Sequence, residues 1–322
     1  MALGVGIVGA GKHGERYLRH VADVPELRLV ALARRDRARG EAQARTYGCR
    51  FHADAAQLIG DPDVEAVVLV VPPTLNPALA SHAARAGKHL LIEKPLATTL
   101  GDCRRIADAV AASGVTAMVA HTLRFNAVVA AIRATVPTIG RLHAAVITQR
   151  FEPSTVTWLD TRTVAGGGII LHTGVHSFDL LRYLTGDEAR RVSAQVARVA
   201  TRDTEDNFVA AIEMERGTLA LVGGSRATAG RSGAIELAGR DGQLVGDHVH
   251  GNAATLTGTD RHALAVAAPV ATVAATLAEF AAAIGERRSP SITVADGAAS
   301  VAIAEACYRA AASGCPEAVE RL

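Results

Sequence analysis

The sequence predicts an α/β protein of two domains: an N-terminal doubly wound parallel sheet, then an α/β domain with a large open, mostly antiparallel sheet. Three observations carry this. Residues 5–14 read Val-Gly-Ile-Val-Gly-Ala-Gly-Lys-His-Gly, an apolar run entering a glycine turn. Strand and helix patterns alternate over residues 1–121, as a parallel sheet with crossover helices requires. Residues 122–322 instead hold successive strand patterns separated by short turns.

The glycine turn comes first. Val5, Ile7 and Val8 have buried-strand character, and Tyr17, Leu18 and Val21 lie on one face of the helical pattern that follows. Strand, glycine turn and helix are the context of the dinucleotide-binding fingerprint G-x-G-x-x-G. Within Gly9, Ala10, Gly11, Lys12, His13 and Gly14, Gly9 makes the tight turn. Gly11 lets the backbone approach a pyrophosphate, and Gly14 lets helix and strand pack closely. The phosphates then meet unpaired N–H groups at the helix N-terminus.

Leu27–Ala33 reads as the second strand. About 20 residues beyond the glycines, such folds place an acid that binds the ribose 2′-hydroxyl of NAD. Here that place holds Arg34, followed by Arg35. Either the arginines pair with a 2′-phosphate, favouring NADP(H) over NAD(H), or they are the solvated end of a strand.

The apolar run Val64–Val71 stops at Pro72 and Pro73, which cannot continue a central strand. Helical periodicity over 77–87, with a glycine stop, leads to the strand His89–Ile92 and then Glu93, Lys94 and Pro95. Ala117–Ala120 is a further strand, ending at His121. Ligands of such sheets bind outside the carboxyl ends of the strands, so Gly9, Arg34, Pro72, Lys94 and His121 are expected to border one crevice. Lys94 there either works on a substrate or caps the strand by pairing with Glu93 or a helix end.

In the second half, strand patterns recur at Leu142–Phe151, Val192–Ala200, Asn207–Met214, Thr218–Gly223, Ala234–Ala238 and Gln243–Val249. Helices at Ile169–Thr185 and Val273–Glu286 are expected to cover one side of that sheet, with a last helix over Val294–Ser313. Three glycines, Gly166 to Gly168, precede His172, His176 and Asp179, which share one helix face. Three readings compete: a core histidine satisfied by Asp179, a general base that takes a hydroxyl proton, and a zinc site. No third ligand is spaced for zinc, and no metal is expected.

Hydrophobic residues make up 49% and charged residues 20%, which excludes a disordered chain. The formal charge of +2 is near balance and no basic face gathers, so nucleic acid is not an expected partner. No run reaches transmembrane length and the N-terminal apolar run lacks the charged flank of a signal peptide. Together with four cysteines (Cys49, Cys103, Cys307, Cys315) lacking metal-type spacing, this suggests reduced thiols, a cytoplasmic location and no membrane partner.

The chain resembles the Gfo/Idh/MocA oxidoreductases, named for glucose–fructose oxidoreductase and inositol dehydrogenase. GAGKHG at 9–14, VVPPTLNPALASHAARAGKHLLIEKP at 70–95, GGGIILHTGVHSFDLLRYLTG at 166–186 and PSITVADGAASVAIAEACYRAAASG at 290–314 carry the likeness. The resemblance implies a Rossmann domain over 1–121 and a substrate and oligomerisation domain over 122–322. It implies an active-site lysine at Lys94, a proton-exchanging histidine at His176, a cis Lys94–Pro95 bond, and a homodimer or homotetramer joined through the C-terminal sheet. It further implies cofactor contacts from residues 9–14, Arg34, Arg35, Val71, Pro72, Pro73, Asn76, Glu93, Lys94 and His121. The family's usual aspartate is His172 here, which puts an inositol-like substrate in doubt, and its frequent histidine is Asn76.

The expected activity is interconversion of a secondary alcohol and a carbonyl on a sugar, polyol or sugar derivative by hydride transfer with NADP(H). His172, Arg124, Asn126 and Trp158 are candidate substrate contacts. Trp158 either stacks on a sugar ring or belongs to the core, and Arg124 either binds substrate or pins the domains. The rivals are a non-catalytic cofactor-binding regulator and a glycoside-processing enzyme that oxidises its substrate transiently.

Overall fold

The computed structural model describes residues 2–322. The chain divides into two compact units, one running to Thr122 and resuming over Ala271–Ala298 with Leu322, the other formed by Leu123–Val270 and Ala299–Arg321.

The first unit is built on β1 (Leu3–Val8), α1 (Gly14–Val21), β2 (Leu27–Ala33), α2 (Arg37–Tyr47), β3 (Arg50–His52) and α3 (Ala55–Ile59). It continues through β4 (Ala66–Leu69), α4 (Asn76–Arg85), β5 (His89–Glu93), α5 (Leu100–Ser113) and β6 (Ala117–Ala120). Its six strands lie in the order β3-β2-β1-β4-β5-β6 and every pairing is parallel. Helices on both faces explain why β4 reads as an unbroken apolar run: all four residues are buried. The run seen over 64–71 forms a strand only to Leu69; Val70 still donates its N–H to Val8 before the prolines turn the chain. Asp36, Asp54 and Thr99 cap α2, α3 and α5 by accepting backbone N–H groups, which sets where each helix begins. The strand order reverses between β1 and β4, which is where such sheets bind ligands.

The second unit runs through α6 (Ala127–Thr135), β7 (Leu142–Arg150), α7 (Arg162–Ala165), a π turn over Ile170–Gly174, and α8 (Val175–Thr185). Strands β8 (Ala189–Ala197), β9 (Asn207–Met214), β10 (Leu219–Ser225), β11 (Ser232–Gly239), β12 (Gly242–Asp247), β13 (Asn252–Thr257), β14 (Asp260–Ala263) and β15 (Glu317–Ala318) follow. The nine strands order as β14-β13-β12-β11-β7-β10-β9-β8-β15; β10 pairs with β7 in parallel and the other pairings are antiparallel. Phe208, Ala210, Ile212 and Val222 on the inner face of this sheet share a core with Val129 and Ile132 of α6 and Phe178 and Leu181 of α8. Strands β13, β14 and β15 lie outside the patterns legible in the sequence, because they are short or largely exposed.

Two expectations are corrected. Helix Thr272–Gly285, expected to cover the antiparallel sheet, belongs instead to the first unit. Its buried Val273, Leu277 and Phe280 make an apolar face, the helix packs against α1, and Ile292 just beyond it accepts the N–H of Val119. An apolar stripe says that a helix is covered, and not by which sheet. The helix expected over Ile169–Thr185 opens instead with the π turn, a rare element frequent at functional sites.

Candidate active site

The first unit places its candidate residues at the carboxyl ends of its strands. After β1, Gly9 takes φ +95°, and a Cβ there would lie 2.1 Å from the Val70 carbonyl oxygen. A Cβ on Gly14 would lie 2.2 Å from the Gly9 oxygen, so this glycine permits the close approach of α1 to the turn. A Cβ on Gly11 would meet no protein atom within 4 Å. Packing within the protein gives no reason for that glycine, whereas a diphosphate laid on the turn does. The residues present therefore fit a dinucleotide.

Arg34 follows β2, half-exposed, and its Nη1 donates to the Ala10 carbonyl at 2.7 Å and to Gln43 Oε1 at 2.8 Å. Arg35 and Lys12 are exposed. Asp36, two positions past Arg34, accepts the Arg39 N–H at 3.1 Å and pairs with the Arg39 side chain at 3.4 Å. Its carboxylate is thus committed to the start of α2.

Val71 and Pro72 follow β4, half-buried, and Pro73 is buried in the turn before α4. Asn76, 1% exposed, donates from Nδ2 to the carbonyls of Pro95 and Leu96 at 3.2 and 3.1 Å. It grips the chain immediately after Lys94, and the Lys94–Pro95 bond is cis. Glu93 is buried, with His13 Nε2 at 2.7 Å and the Tyr17 hydroxyl at 2.6 Å from its Oε1. Burial alone pushes this carboxyl up. The charges of His13 and Lys94 and the bonds from His13 and Tyr17 outweigh it and hold the group at about 2. His121 lies buried just past β6.

In the second unit every residue from Gly167 to Leu181 is buried except His176. His172 sits in the π turn with Nε2 2.9 Å from the Ala165 carbonyl. A carbonyl only accepts, so Nε2 carries the proton and the basic nitrogen of the neutral ring is Nδ1. Trp158 packs edge-on against His172, ring centroids 5.6 Å apart at 75°. Asp179 is held by Arg124, which donates from Nε at 2.9 Å and Nη2 at 2.6 Å, and the guanidinium lies 4.9 Å over the Tyr183 ring. Both ends of this pair are in the second unit, so Arg124 acts there as the counter-ion of Asp179. Asn126 caps α6, accepting the Val128 and Val129 N–H groups, and donates to the His248 carbonyl at 3.3 Å. Its amide is committed to the backbone.

Sequence reasoning missed Glu205. One of its oxygens accepts from the Gly168 and Ile170 N–H groups at 2.9 and 3.2 Å and from the Tyr308 hydroxyl at 2.7 Å, fixing the turn that leads to His172. A Cβ on Gly168 would lie 1.9 Å from the Glu205 carbonyl, which accounts for that glycine. The only signal was the acidic run Asp203, Glu205, Asp206, which reads in sequence as a solvated loop.

A doubly wound sheet whose first turn fits a dinucleotide defines the Rossmann class of cofactor-binding proteins. The chain belongs to the Gfo/Idh/MocA family of that class. Residues 3–121 match the oxidoreductase family with an NAD-binding Rossmann fold, and residues 125–245 match the GFO/IDH/MocA C-terminal domain. It is 30% identical to 1,5-anhydro-D-fructose reductase of Ensifer adhaerens, over 96% of each chain. It is 31% identical to inositol 2-dehydrogenase 1 of Saccharopolyspora erythraea, over 99% of this chain and 97% of that one. Its fold matches levoglucosan dehydrogenase in complex with NADH at a TM-score of 0.93 and 24% identity, over 100% of both chains. No helix of the described residues is long and apolar enough to cross a membrane.

Proposed function

We propose that the protein interconverts a secondary alcohol of a sugar, polyol or sugar derivative with the matching carbonyl, preferring NADP(H) to NAD(H). The observation that carries the reading is His176, the one residue of a buried fifteen-residue stretch (Gly167–Leu181) that reaches the surface. The relatives named above, a reductase of an anhydro-sugar and an inositol dehydrogenase, support the substrate class. Bound nicotinamide supplies the hydride carrier. His176 takes the hydroxyl proton, and Lys94 holds the oxygen and stabilises charge on it. Trp158 and His172 offer the substrate an aromatic edge and face. A panel of sugars and ketosugars assayed with both cofactors tests this; cofactor binding without turnover on any of them would favour a regulator.

Arg34 supports the cofactor preference. Its two bonds hold the guanidinium beside the glycine turn, and Asp36, the next acid along the chain, is spent capping α2. A 2′-phosphate is thus met by cations and no uncommitted carboxylate. NADP(H) should bind the wild type more tightly than NAD(H), and Arg34→Asp should reverse the order, each by about tenfold for one charged contact. Titration of both cofactors decides the matter, and tighter NAD(H) binding by the wild type sinks the preference.

The same reading makes the protein a homodimer or homotetramer joined through the antiparallel sheet. Val209, Leu219 and Leu221 stand exposed on the sheet face opposite the core, at 42%, 64% and 42%. Light scattering after gel filtration should give a multiple of the 33.3 kDa chain, and Leu221→Lys should shift it toward monomer. A monomeric wild type at micromolar concentration rules the assembly out.

A further inference from the structure

We propose that Glu93 is a positioning residue for the cofactor: acting through His13 and Tyr17, it ties the glycine turn and α1 to the strand end that carries Lys94. The inference rests on the dinucleotide site and is independent of the substrate assigned above.

Position 93 closes a parallel strand whose preceding three residues, Leu90, Leu91 and Ile92, are 0% exposed. Such a strand ordinarily ends on an apolar side chain, and a carboxylate there is costly unless its charge is answered. The hydrogen bonds that answer it come from one direction. His13 and Tyr17 lie 80 and 76 residues earlier, one in the turn and the other a turn into α1, and both reach Oε1. Tyr17 is fully buried, while the His13 side chain is 46% exposed and belongs to the loop that receives the diphosphate.

Backbone bonds from Gly9 and Ala10 to the Ala33 carbonyl fix the entry of the turn. Gly11 has no neighbour for a side chain to pack on, and two side chains grip the turn from outside: Arg34 at the Ala10 carbonyl and Glu93 at His13. A buried anion in a unit that must receive a diphosphate would oppose binding if its charge were left open. Here the charge is directed into His13 and the adjoining Lys94, so the carboxylate anchors the turn without repelling the ligand. Arg34 fixes the turn near its first glycine and Glu93 fixes it near its last. Loss of the second anchor leaves the phosphate-binding N–H groups free to drift from their shared direction.

A double-mutant cycle on NADPH affinity, read by fluorescence titration without any substrate, tests the tether. His13→Ala and Glu93→Gln should each weaken NADPH about ten- to a hundredfold, the range for one charge-assisted hydrogen bond. The double variant should be no weaker than the worse single one, because both remove the same bond. Should Glu93→Gln fail to fold, Glu93→Asp, whose carboxylate is drawn back from His13 by one methylene, takes its place in the cycle. Folded His13→Ala protein that binds NADPH within twofold of the wild type overturns the proposal. So do additive losses, or a large loss for His13→Ala beside a negligible one for Glu93→Gln, since either means that His13 meets the cofactor on its own account.

Discussion

Lys94→Ala should lower turnover by about two to three orders of magnitude, the range for loss of one preorganised donor to a reacting oxygen, with little change in cofactor affinity. The lysine follows a strand buried to its last residue, and the chain beyond it is gripped by Asn76 through two backbone carbonyls. A side chain whose backbone is fixed on both sides is held in place more firmly than surface lysines are, and a catalytic ammonium needs that fixity. Its neighbour Glu93 stays ionised despite its burial. The loss should fall on kcat and kcat/KM together, because polarisation of the oxygen strengthens as charge develops on it. Steady-state kinetics beside a cofactor titration measure both quantities. An alanine variant of near-normal kcat would return the lysine to a purely structural role as partner of Glu93.

His176→Ala should cost about two to four orders of magnitude in turnover, the usual contribution of a positioned general base. The alternative in which Asp179 exists to satisfy a core histidine has a competitor in the structure: both Asp179 oxygens are taken by Arg124. His172 differs from its neighbour one turn on. Its Nε2–H is spent on the Ala165 carbonyl and its ring is buried under Trp158, so it suits contact and shape better than proton exchange. The acid limb of the wild-type pH profile for alcohol oxidation should accordingly be missing from the residual activity of His176→Ala and kept when His172 is changed. Among the described residues no group of three or more His, Cys, Asp or Glu is placed to hold a metal ion. Metal analysis with a chelator assay supplies the decisive control: stoichiometric zinc required for activity would overturn the role given to His176.

The sequence by itself determined the parts that local chemistry dictates. Apolar runs of strand length, the prolines after Val71 and the glycines at 9, 11 and 14 fix where strands stop and what the first turn can hold. These are properties of a few adjacent residues, so Gly9, Arg34, Pro72, Lys94 and His121 could each be placed at a strand end of the first sheet. Periodicity likewise identified the helix bearing His176. What only the tertiary structure decided is which buried polar groups meet. Arg124 finds Asp179 from 55 residues away, Asn126 finds the His248 carbonyl from 122, and Glu93 finds His13 from 80. Each was open to a ligand in sequence and is engaged by the protein in the fold. The apolar face of helix Thr272–Gly285 behaves the same way, since it requires a cover without specifying the sheet that provides it. Burial makes a charge or an amide demand a partner, and the partner is chosen by packing over the whole chain, which no local pattern encodes.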